Sequence, residues 1–405
     1  MKVLYLHQHF EYQKSGTRSY QFAKWLVEQG HEVTLVTGLD HDCEWMDGIR
    51  VLTTKTKYCQ TLSFLGRLVS FMHFVVMSIL LMIRTKNIDV IYATSTPLTV
   101  GIPAVLVSRI KRVPMVFEIR DVWPDVPIEL NVLKKKWMIH LAKKLEIWIY
   151  DNAVHLVTLS DSMKENIHNK VPNKKITTIP NLANNRWIDH LSFDPKQLVE
   201  EFPCLNHSFK VIHHGSMGQV NHVEYLVGLA EKSKEIRYIA LGNGAEKERL
   251  ERLKAERNVE NLFIIDEVDK TTGYHILAMC QVGIVTVADY EILNMNSANK
   301  FFDYLGSRLP VVLNYEGWQK RVLNHYEAGE GFPFANQEAM IKYLRVLKNN
   351  KNIYESAASN AKTAAVTLFD ADKLSEKFVS VLQSSLSKET ASCRKGGMPG
   401  TDSHS

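Results

Sequence analysis

The sequence predicts an α/β protein built from two parallel-sheet domains in tandem. Short apolar strands alternate with helical stretches, and this alternation restarts once near the middle of the chain. Strands separated by helices favour a parallel sheet covered by helices on both faces. The length of 405 residues suits about two domains, and 45% hydrophobic with 23% charged residues is typical of globular proteins with buried cores.

The first series of strands and helices begins at the N-terminus. Residues 2–7 form a short apolar run, and residues 15–38 supply a loop, a helix closed by Gly30 and a second strand. Further strands are predicted at residues 90–95, 114–119, 153–160 and 176–181. We therefore assign residues 1–185 to an N-terminal Rossmann-like domain.

The second series follows a break in periodicity at residues 182–209, where Pro195 and Pro203 fall. Its strands are predicted at residues 210–218, 236–244, 261–268, 282–287 and 309–314. Residues 186–368 are therefore predicted to form a second Rossmann-like domain, and the two domains are expected to face a cleft. Ligands of such sheets bind outside the carboxyl ends of the strands.

The C-terminal residues divide into a helix and a tail. Residues 370–386 read as an amphipathic helix that opens with an Asp-rich cap. We expect a helix over 369–386 to complete the N-terminal domain. Residues 387–405 lack apolar periodicity, which predicts a disordered tail.

The excess of positive charge lies in the first half of the chain. Residues 1–185 contain 23 lysines and arginines against 16 aspartates and glutamates, whereas the remainder contains 26 against 28. This asymmetry favours an anionic surface as partner, either nucleic acid or membrane. We predict a membrane and no nucleic acid, because zinc-finger spacing, an RNP-like stretch and a KH-type loop are all missing from the sequence.

Two segments are candidates for membrane contact. Residues 68–83 are apolar between Arg67 and Arg84, but the run is shorter than the ~20 residues of a spanning helix. Residues 131–150 place lysines beside an apolar stripe of Trp137, Leu141, Leu145 and Trp148, a pattern typical of peripheral membrane helices. The alternative is a helix that packs on the sheet and exposes its lysines to solvent.

The cysteines and the N-terminus predict a cytoplasmic protein. The five cysteines are scattered and form no C-x-x-C pair, which argues against disulfides and zinc and fits a reducing compartment. The first ten residues contain one lysine and an apolar run that is too short for a signal peptide.

Three loops rich in glycine or other small residues are candidates for phosphate contact, at residues 14–18, 215–218 and 242–244. Glycine lets the backbone approach phosphate oxygens, and the following helix N-terminus offers free N–H groups. Because these loops contain neither G-x-G-x-x-G nor a P-loop, NAD enzymes and NTPases are disfavoured.

Metal sites are disfavoured by the histidine spacing. The pairs in HQH at 7–9 and HH at 213–214 end strands and have no partners at ligand spacing, so we predict no metal.

Lys300 and Asp303 lie one helical turn apart at the start of a helix within SANKFFDYL, residues 297–305. They form either a solvated surface pair, worth a few tenths of a kcal/mol, or part of a site for a diphosphate and a ribose. A similar choice applies to IRDVWPD, residues 119–125. Its charged side chains either contact a ligand or brace the loop as a buried Arg120–Asp121 pair, and we interpret Glu118 as structural.

The chain resembles retaining glycosyltransferases of the GT-B fold, family four, over about residues 1–385. More narrowly, it is similar to the branch that contains the L-fucosamine transferase of bacterial O-antigen and capsule assembly. The segments that carry this resemblance are residues 16–38, 119–128, 241–250 and 297–318.

The resemblance implies that the C-terminal domain binds a nucleoside-diphosphate sugar, UDP-linked, and that the N-terminal domain binds the acceptor. It also implies independence from metals and other cofactors, a polyprenyl-diphosphate-linked acceptor and a peripheral location on the cytoplasmic face of the bacterial inner membrane. The family usually has two glutamates eight positions apart. The second corresponds to Asp303 and the first to Met295, which cannot replace it. The family's arginine and lysine after the first C-domain strand are also missing here, and Lys300 is our candidate substitute.

The predicted site residues fall into three groups. The catalytic residues are Lys300, Arg120 and Asp121. The donor-binding residues are Gly215, Ser216, Gly218, Gly242, Gly244, Val268, Asn299 and Asp303. The acceptor-binding residues are Ser15, Gly16, Thr17 and Asp125.

Two other functions remain open for the sequence. A UDP-sugar 2-epimerase shares the two-domain architecture but needs no lipid-facing basic helix. A catalytically silent membrane-bound scaffold is compatible with the missing glutamate and cations.

Overall fold

The computed structural model describes residues 1–10, 17–38, 44–56, 64–95 and 97–395. These residues form two compact units. The first runs from the N-terminus to Ile179 and includes the last helix from Leu374 onward, and the second runs from Pro180 to Lys373. The boundary therefore lies at 179/180 rather than at the 185/186 position that the sequence suggested.

The first unit is a mainly parallel sheet flanked by helices. Its strands are β1 (Lys2–His7), β2 (Glu32–Thr37), β3 (Trp45–Met46), β4 (Ile49–Thr53), β5 (Val90–Thr94), β6 (Met115–Ile119), β7 (His155–Thr158) and β8 (Ile176–Thr178). Within the described ranges their order is β3-β4-β2-β1-β5-β6-β7-β8, and only the β3–β4 pair is antiparallel. Its first helices are α1 (Thr17–Glu28), α2 (Phe64–Arg84), α3 (Gly101–Lys111), α4 (Asp125–Glu129), α5 (Lys136–Asn152) and α6 (Asp161–Lys170).

The second unit is a parallel sheet of the order β11-β10-β9-β12-β13-β14. Its strands are β9 (Lys210–His214), β10 (Arg237–Leu241), β11 (Leu262–Ile265), β12 (Val282–Val285), β13 (Val311–Leu313) and β14 (Gly329–Gly331). Its helices are α7 (Asn185–Asp189), α8 (Pro195–Glu201), α9 (Tyr225–Lys232), α10 (Lys247–Glu256), α11 (Lys270–Ala278), α12 (Asn299–Gly306), α13 (Trp318–Tyr326), α14 (Gln337–Asn349) and α15 (Lys351–Leu368). Short 3-10 helices lie at Leu98–Val100, Pro203–Leu205, Gln219–Asn221 and Glu291–Met295.

Both predicted series of strands are confirmed, because each predicted apolar run contains a strand. The strands β5, β6 and β7 are buried at every position, as expected for central strands covered on both faces. The strands β3, β4 and β14 were missed. The hairpin β3–β4 has a recognisable signal, since Asp47 and Gly48 join its strands with positive φ angles of 47° and 79°.

The last helix, α16 (Ala371–Lys395), packs in the first unit. Phe378 stacks on Phe22 with ring centroids 4.4 Å apart and meets Tyr92 edge-on at 4.8 Å. The helix continues to Lys395, so the prediction of disorder is wrong for residues 387–395. Helices propagate readily from a nucleated segment, and the packed residues up to Ser385 supply that segment. The remainder of the predicted tail lies outside the described residues.

Among the described residues, no helix combines the length and the apolar character needed to cross a membrane.

Candidate functional site

A tyrosine fixes helix α12 against the second sheet. The Tyr304 hydroxyl accepts a hydrogen bond from the backbone N–H of His214 at 2.8 Å and donates to the carbonyl of Ile284 at 3.3 Å. The ring fits because β12 has Gly283 beneath it, where a Cβ atom would lie 2.3 Å from the tyrosine ring. Strands β9 and β12 therefore both hold α12, and its first turn is placed beside the end of β9.

Lys300 enters the structure from that first turn. Its side chain is 6% exposed, and its Nζ lies 2.9 Å from His213 Nε2 and donates to Asn221 Oδ1 at 3.2 Å. The surface-pair interpretation of Lys300 and Asp303 is therefore wrong, because Lys300 is buried and contacts residues from β9 and the loop after it. These partners were not identified from the sequence.

The ammonium group of Lys300 is poorly compensated. Its two hydrogen-bond partners are neutral, and burial lowers its pKa to about 7, although the charge of Asp303 opposes that shift. Burial of the two histidines, together with the nearby charge of Lys300, holds the pKa of His213 well below its ordinary value and lowers that of His214 to about 4. A buried cation with neutral histidines around it has capacity for an anionic ligand.

Two of the predicted glycine loops meet next to Lys300. A Cβ atom on Gly215 would lie 3.8 Å from Lys300 Cε, and one on Gly242 would lie 2.1 Å from the Gly215 carbonyl oxygen. Gly244 approaches the Met217 carbonyl in the same way, at 2.5 Å. All three glycines have positive φ angles of at least 104°, which favour glycine. The close backbone approach therefore explains why both loops contain glycine at these positions.

Two buried polar atoms near Lys300 have no hydrogen-bond partner among the described residues: Ser297 Oγ and His214 Nδ1. Ser297 comes directly before Ala298, and α12 begins without a side-chain cap there. Buried polar groups are normally paired, so these atoms fit a site that a polar ligand completes.

Asp303 lies one turn further along α12 and contacts a different set of residues. It accepts a hydrogen bond from the Tyr274 hydroxyl, and Tyr274 packs edge-on against Trp187 with ring centroids 4.9 Å apart. Burial raises the pKa of Asp303 to about 6, although Tyr274 and the charges of Lys270 and Lys300 lower it. Lys270 covers the Trp187 ring at 4.8 Å. This aromatic and charged group was not predicted from the sequence.

The remaining predicted donor residues lie around the same sheet edge. A Cβ atom on Gly273 would lie 3.8 Å from Val268 Cγ2 and 3.9 Å from His214 Nε2, so Val268 lies near the end of β9. Ser216 and Asn299 are exposed, at the end of β9 and in the first turn of α12. Gly218 lies before the 3-10 helix that carries Asn221. Met295, at the family's glutamate position, ends the 3-10 helix Glu291–Met295.

A cavity of ≈ 280 Å³ opens in the loops after β12, β13 and β14. Its lining includes Asp289, Tyr290, Asn294 and Glu316. The backbone N–H of Ala288 donates to the Val220 carbonyl at 2.9 Å, which ties this loop to the residue before Asn221. The cavity is therefore adjacent to the Lys300 contacts and offers polar groups to a hydroxyl-rich ligand.

In the first unit, Arg120, predicted to be catalytic, and Asp125, predicted to bind the acceptor, both contact other residues of the unit. Arg120 lies 3.4 Å from His7 Nε2 through one guanidinium nitrogen, and its backbone N–H donates to Ser95 Oγ. Asp121 is exposed, so the bracing Arg120–Asp121 pair is not buried. Asp125 forms an ion pair with Lys170 at 2.6 Å. Thr17 begins α1, whereas Ser15 and Gly16 lie outside the described residues.

The buried ion pair of this unit is instead Arg18–Glu118. Arg18 donates twice to Glu118 Oε2, at 2.8 and 3.0 Å, and Thr94 and Tyr92 also donate to that carboxylate. Burial by itself raises the pKa of Glu118, but Arg18 and Arg120 outweigh it, so the pKa lies below its ordinary value. The structural interpretation of Glu118 agrees with these contacts, and its partner Arg18 was missed.

In the described ranges, no group of three or more His, Cys, Asp and Glu side chains is placed to hold a metal ion. His213, one of the histidines considered for metal binding, contacts Lys300 instead.

Residues 15–182 match the model of a glycosyl transferase 4-like domain. Comparison with curated proteins finds no match to the chain.

Several solved structures are similar over nearly the whole chain. Sucrose-phosphate synthase from Thermosynechococcus elongatus has a TM-score of 0.75 at 13% identity, covering 95% of this chain and 98% of that one. Anabaena Alr3699/HepE, solved with UDP and glucose, has a TM-score of 0.72 at 15% identity and coverages of 95% and 100%. WaaG, a glycosyltransferase involved in lipopolysaccharide biosynthesis, has a TM-score of 0.67 at 14% identity, covering 94% of this chain and 99% of that one. The chain thus has the GT-B fold of two Rossmann-like domains, and its residues 15–182 match the glycosyl transferase 4-like domain.

Proposed function

We propose that the protein is a glycosyltransferase that transfers a sugar from a nucleoside-diphosphate sugar, UDP-linked, with retention of configuration. The observation that carries the proposal is the buried Lys300 ammonium, held between neutral partners where the two glycine loops meet. The domain match and the UDP complex of Anabaena HepE support the same reaction class.

The diphosphate would lie against Lys300 and the backbone N–H groups of residues 215–218. The leaving diphosphate gains negative charge as the sugar departs, and fixed donors directed at that charge lower the barrier. Because the hydrogen-bond partners of Lys300 among the described residues are neutral, a diphosphate there would also favour its protonated form. The acceptor hydroxyl would pass its proton to the departing phosphate, so no strong protein base is required.

Asp303 would accept hydrogen bonds from the ribose hydroxyls, as the resemblance implies for this position. Its contact with Tyr274 fixes the carboxylate, and Lys270 lies close enough to affect its pKa. The sugar would occupy the adjacent cavity, where Asp289, Asn294 and Glu316 present polar groups. Metal independence is part of the proposal and predicts that EDTA leaves turnover unchanged.

The acceptor would be a polyprenyl-diphosphate-linked saccharide of O-antigen or capsule assembly, and the sugar N-acetyl-L-fucosamine or a related amino sugar. The resemblance supports both assignments. Arg120 would contact a phosphate or sugar of the acceptor, and Asp121 would orient the attacking hydroxyl. A lipid-linked acceptor places the enzyme on the cytoplasmic face of the bacterial inner membrane, which the basic charge of the first half favours.

A mass-spectrometric screen of UDP-sugars, with and without lipid-linked acceptor, tests the reaction. We expect release of UDP and formation of an extended lipid-linked product only when the acceptor is present. Release of UDP without acceptor, or appearance of an epimerised sugar, would instead favour the 2-epimerase. A protein that binds no uridine nucleotide would contradict the proposal and favour the scaffold.

A further inference from the structure

Helix α2 has an outer stripe of large apolar side chains that face solvent. Val69, Met72, Val76, Leu80 and Ile83 recur at the three- and four-residue spacing of one helix face, and their exposed fractions lie between 41% and 64%. Single exposed apolar residues are common, but a stripe along a whole helix marks an interaction site.

The opposite face of α2 is already used by the fold. Phe74 and Met82 are fully buried in the core of the first unit, and Ser78 lies between them on the same side. The helix is therefore fixed on the sheet with its outer stripe pointing away from the core. Burial in the first unit does not account for the outer stripe.

Helix α3 extends this surface. Lys111 Nζ donates to the carbonyls of Ile83 and Thr85, both at 2.8 Å, which joins the C-terminal ends of α2 and α3. Ile110, the neighbour of Lys111, is 61% exposed, and Leu106 lies one turn before it with 37% exposure. We call the outer stripe of α2 together with Leu106 and Ile110 the α2–α3 face.

The charge around the α2–α3 face has one dominant sign. Helices α2 and α3 together contain Arg67, Arg84, Arg109 and Lys111 and no acidic residue. Residues 130–145, which lead into α5, add five lysines and no acidic residue, with Trp137 and Leu141 both exposed. Helix α3 packs against α5, and Arg109 of α3 donates to Asn152 at its end.

We infer that the α2–α3 face docks in the plane of an anionic lipid bilayer, with the apolar stripe inserted at the interface and the lysines of α5 contacting the headgroups. Apolar insertion and basic charge together are what a peripheral membrane helix requires. A second copy of the chain is a poorer occupant, because two surfaces of the same positive charge would meet. The inference rests on the proposed function for a lipid-linked substrate, and it names the surface that reaches that substrate.

Vesicle co-sedimentation of the full chain tests the inference without donor or acceptor, so its failure is separate from failure of the proposed reaction. Vesicles of phosphatidylcholine with 30% phosphatidylglycerol are compared with pure phosphatidylcholine at low salt. We expect the double variant Val76→Gln, Leu80→Gln to weaken partitioning into the anionic vesicles about tenfold or more, since each side chain loses its apolar transfer free energy.

The matched control is Val346→Gln, Ile353→Gln, which changes side chains of similar exposure in the second unit. It should sediment like the wild type. The quadruple variant Lys135→Gln, Lys136→Gln, Lys143→Gln, Lys144→Gln should lose binding to anionic vesicles as well, because each lysine near the surface adds about 1 kcal/mol of attraction, a factor of about five. High salt should reproduce that loss in the wild type.

Three results would overturn the inference. Equal sedimentation of wild type and the Val76→Gln, Leu80→Gln variant would show that the stripe does not enter lipid. Equal loss in the Val346→Gln, Ile353→Gln control would show a general effect of polar substitution. If light scattering shows that the wild type is a dimer and that the Val76→Gln, Leu80→Gln variant is a monomer, the face would be assigned to a second copy of the chain.

Discussion

Each of the two units buries a basic side chain near the carboxyl end of a central strand, but the two side chains differ in how their positive charge is compensated. In the first unit, Arg18 meets the carboxylate of Glu118, which also accepts from Tyr92 and Thr94. In the second, the hydrogen-bond partners of Lys300 among the described residues are the neutral His213 and Asn221. Arg18 is therefore part of a completed structural network, whereas Lys300 has neutral hydrogen-bond partners and the nearby charge of Asp303 does not offset its burial.

The difference indicates how to separate structural from ligand-binding charges in this fold. A buried charge is stable when it is paired and fully hydrogen-bonded, and removal of one partner is strongly destabilising. An unpaired buried lysine shifts its pKa downward instead, as Lys300 does. Substitution of a paired buried charge such as Glu118 should therefore affect folding, whereas substitution of Lys300 should affect binding and turnover.

The largest expected effect is on stability in the first unit. Glu118→Ala leaves Arg18 buried without a counter-charge, so we expect the free energy of unfolding to fall by about 3–5 kcal/mol. Urea denaturation followed by circular dichroism measures it. The double variant Arg18→Met, Glu118→Met should recover part of the loss because no charge remains. If Glu118→Ala is as stable as the wild type, the Arg18–Glu118 pair does not stabilise the fold and the contrast with Lys300 is wrong.

The next effect is on catalysis in the second unit. Lys300→Ala removes the proposed counter-charge of the diphosphate and should reduce turnover by about 10²-fold or more, with an unchanged circular dichroism spectrum. Lys210→Met is the matched control, since Lys210 is also buried but begins β9 at the opposite end from His214. It should retain turnover close to that of the wild type. Unchanged turnover in Lys300→Ala would remove Lys300 from the catalytic site.

The pH dependence of unfolding should show the unpaired lysine directly. The pKa of Lys300 is about 7 in the folded protein against an ordinary 10.5, so the unfolded chain binds more protons between these values. Stability of the wild type should therefore rise with pH in that window, by about 2 kcal/mol from pH 7 to pH 9 relative to Lys300→Met. Parallel stability curves for the two proteins would show that the lysine is compensated in solution.

The smallest effect concerns nucleotide affinity. Asp303→Ala removes the proposed ribose contact and also the carboxylate that supports the charge of Lys300. We expect the Kd for UDP to rise about tenfold, the scale of one hydrogen bond to a charged group. Isothermal titration calorimetry measures it. The same Kd in both proteins would place Asp303 outside the donor site.

Much of the architecture could be predicted from local sequence alone. Apolar runs such as residues 114–119 form buried strands because a central parallel strand is covered on both faces. The short strand β14 was missed because its three residues, Gly329 to Gly331, carry no apolar pattern. The prediction of a site at Lys300 and Asp303 used their spacing on one helix, which is also local information.

The sequence by itself determined the two α/β series, the basic first half and the candidate pair on α12. The tertiary structure alone decided which charges are compensated. Lys300 meets His213 and Asn221, 87 and 79 positions away, and Arg18 meets Glu118 100 positions away. Local periodicity carries no information about such distant partners. The strength of a charge's interactions depends on burial and on the groups within a few ångströms, and only the folded chain fixes both.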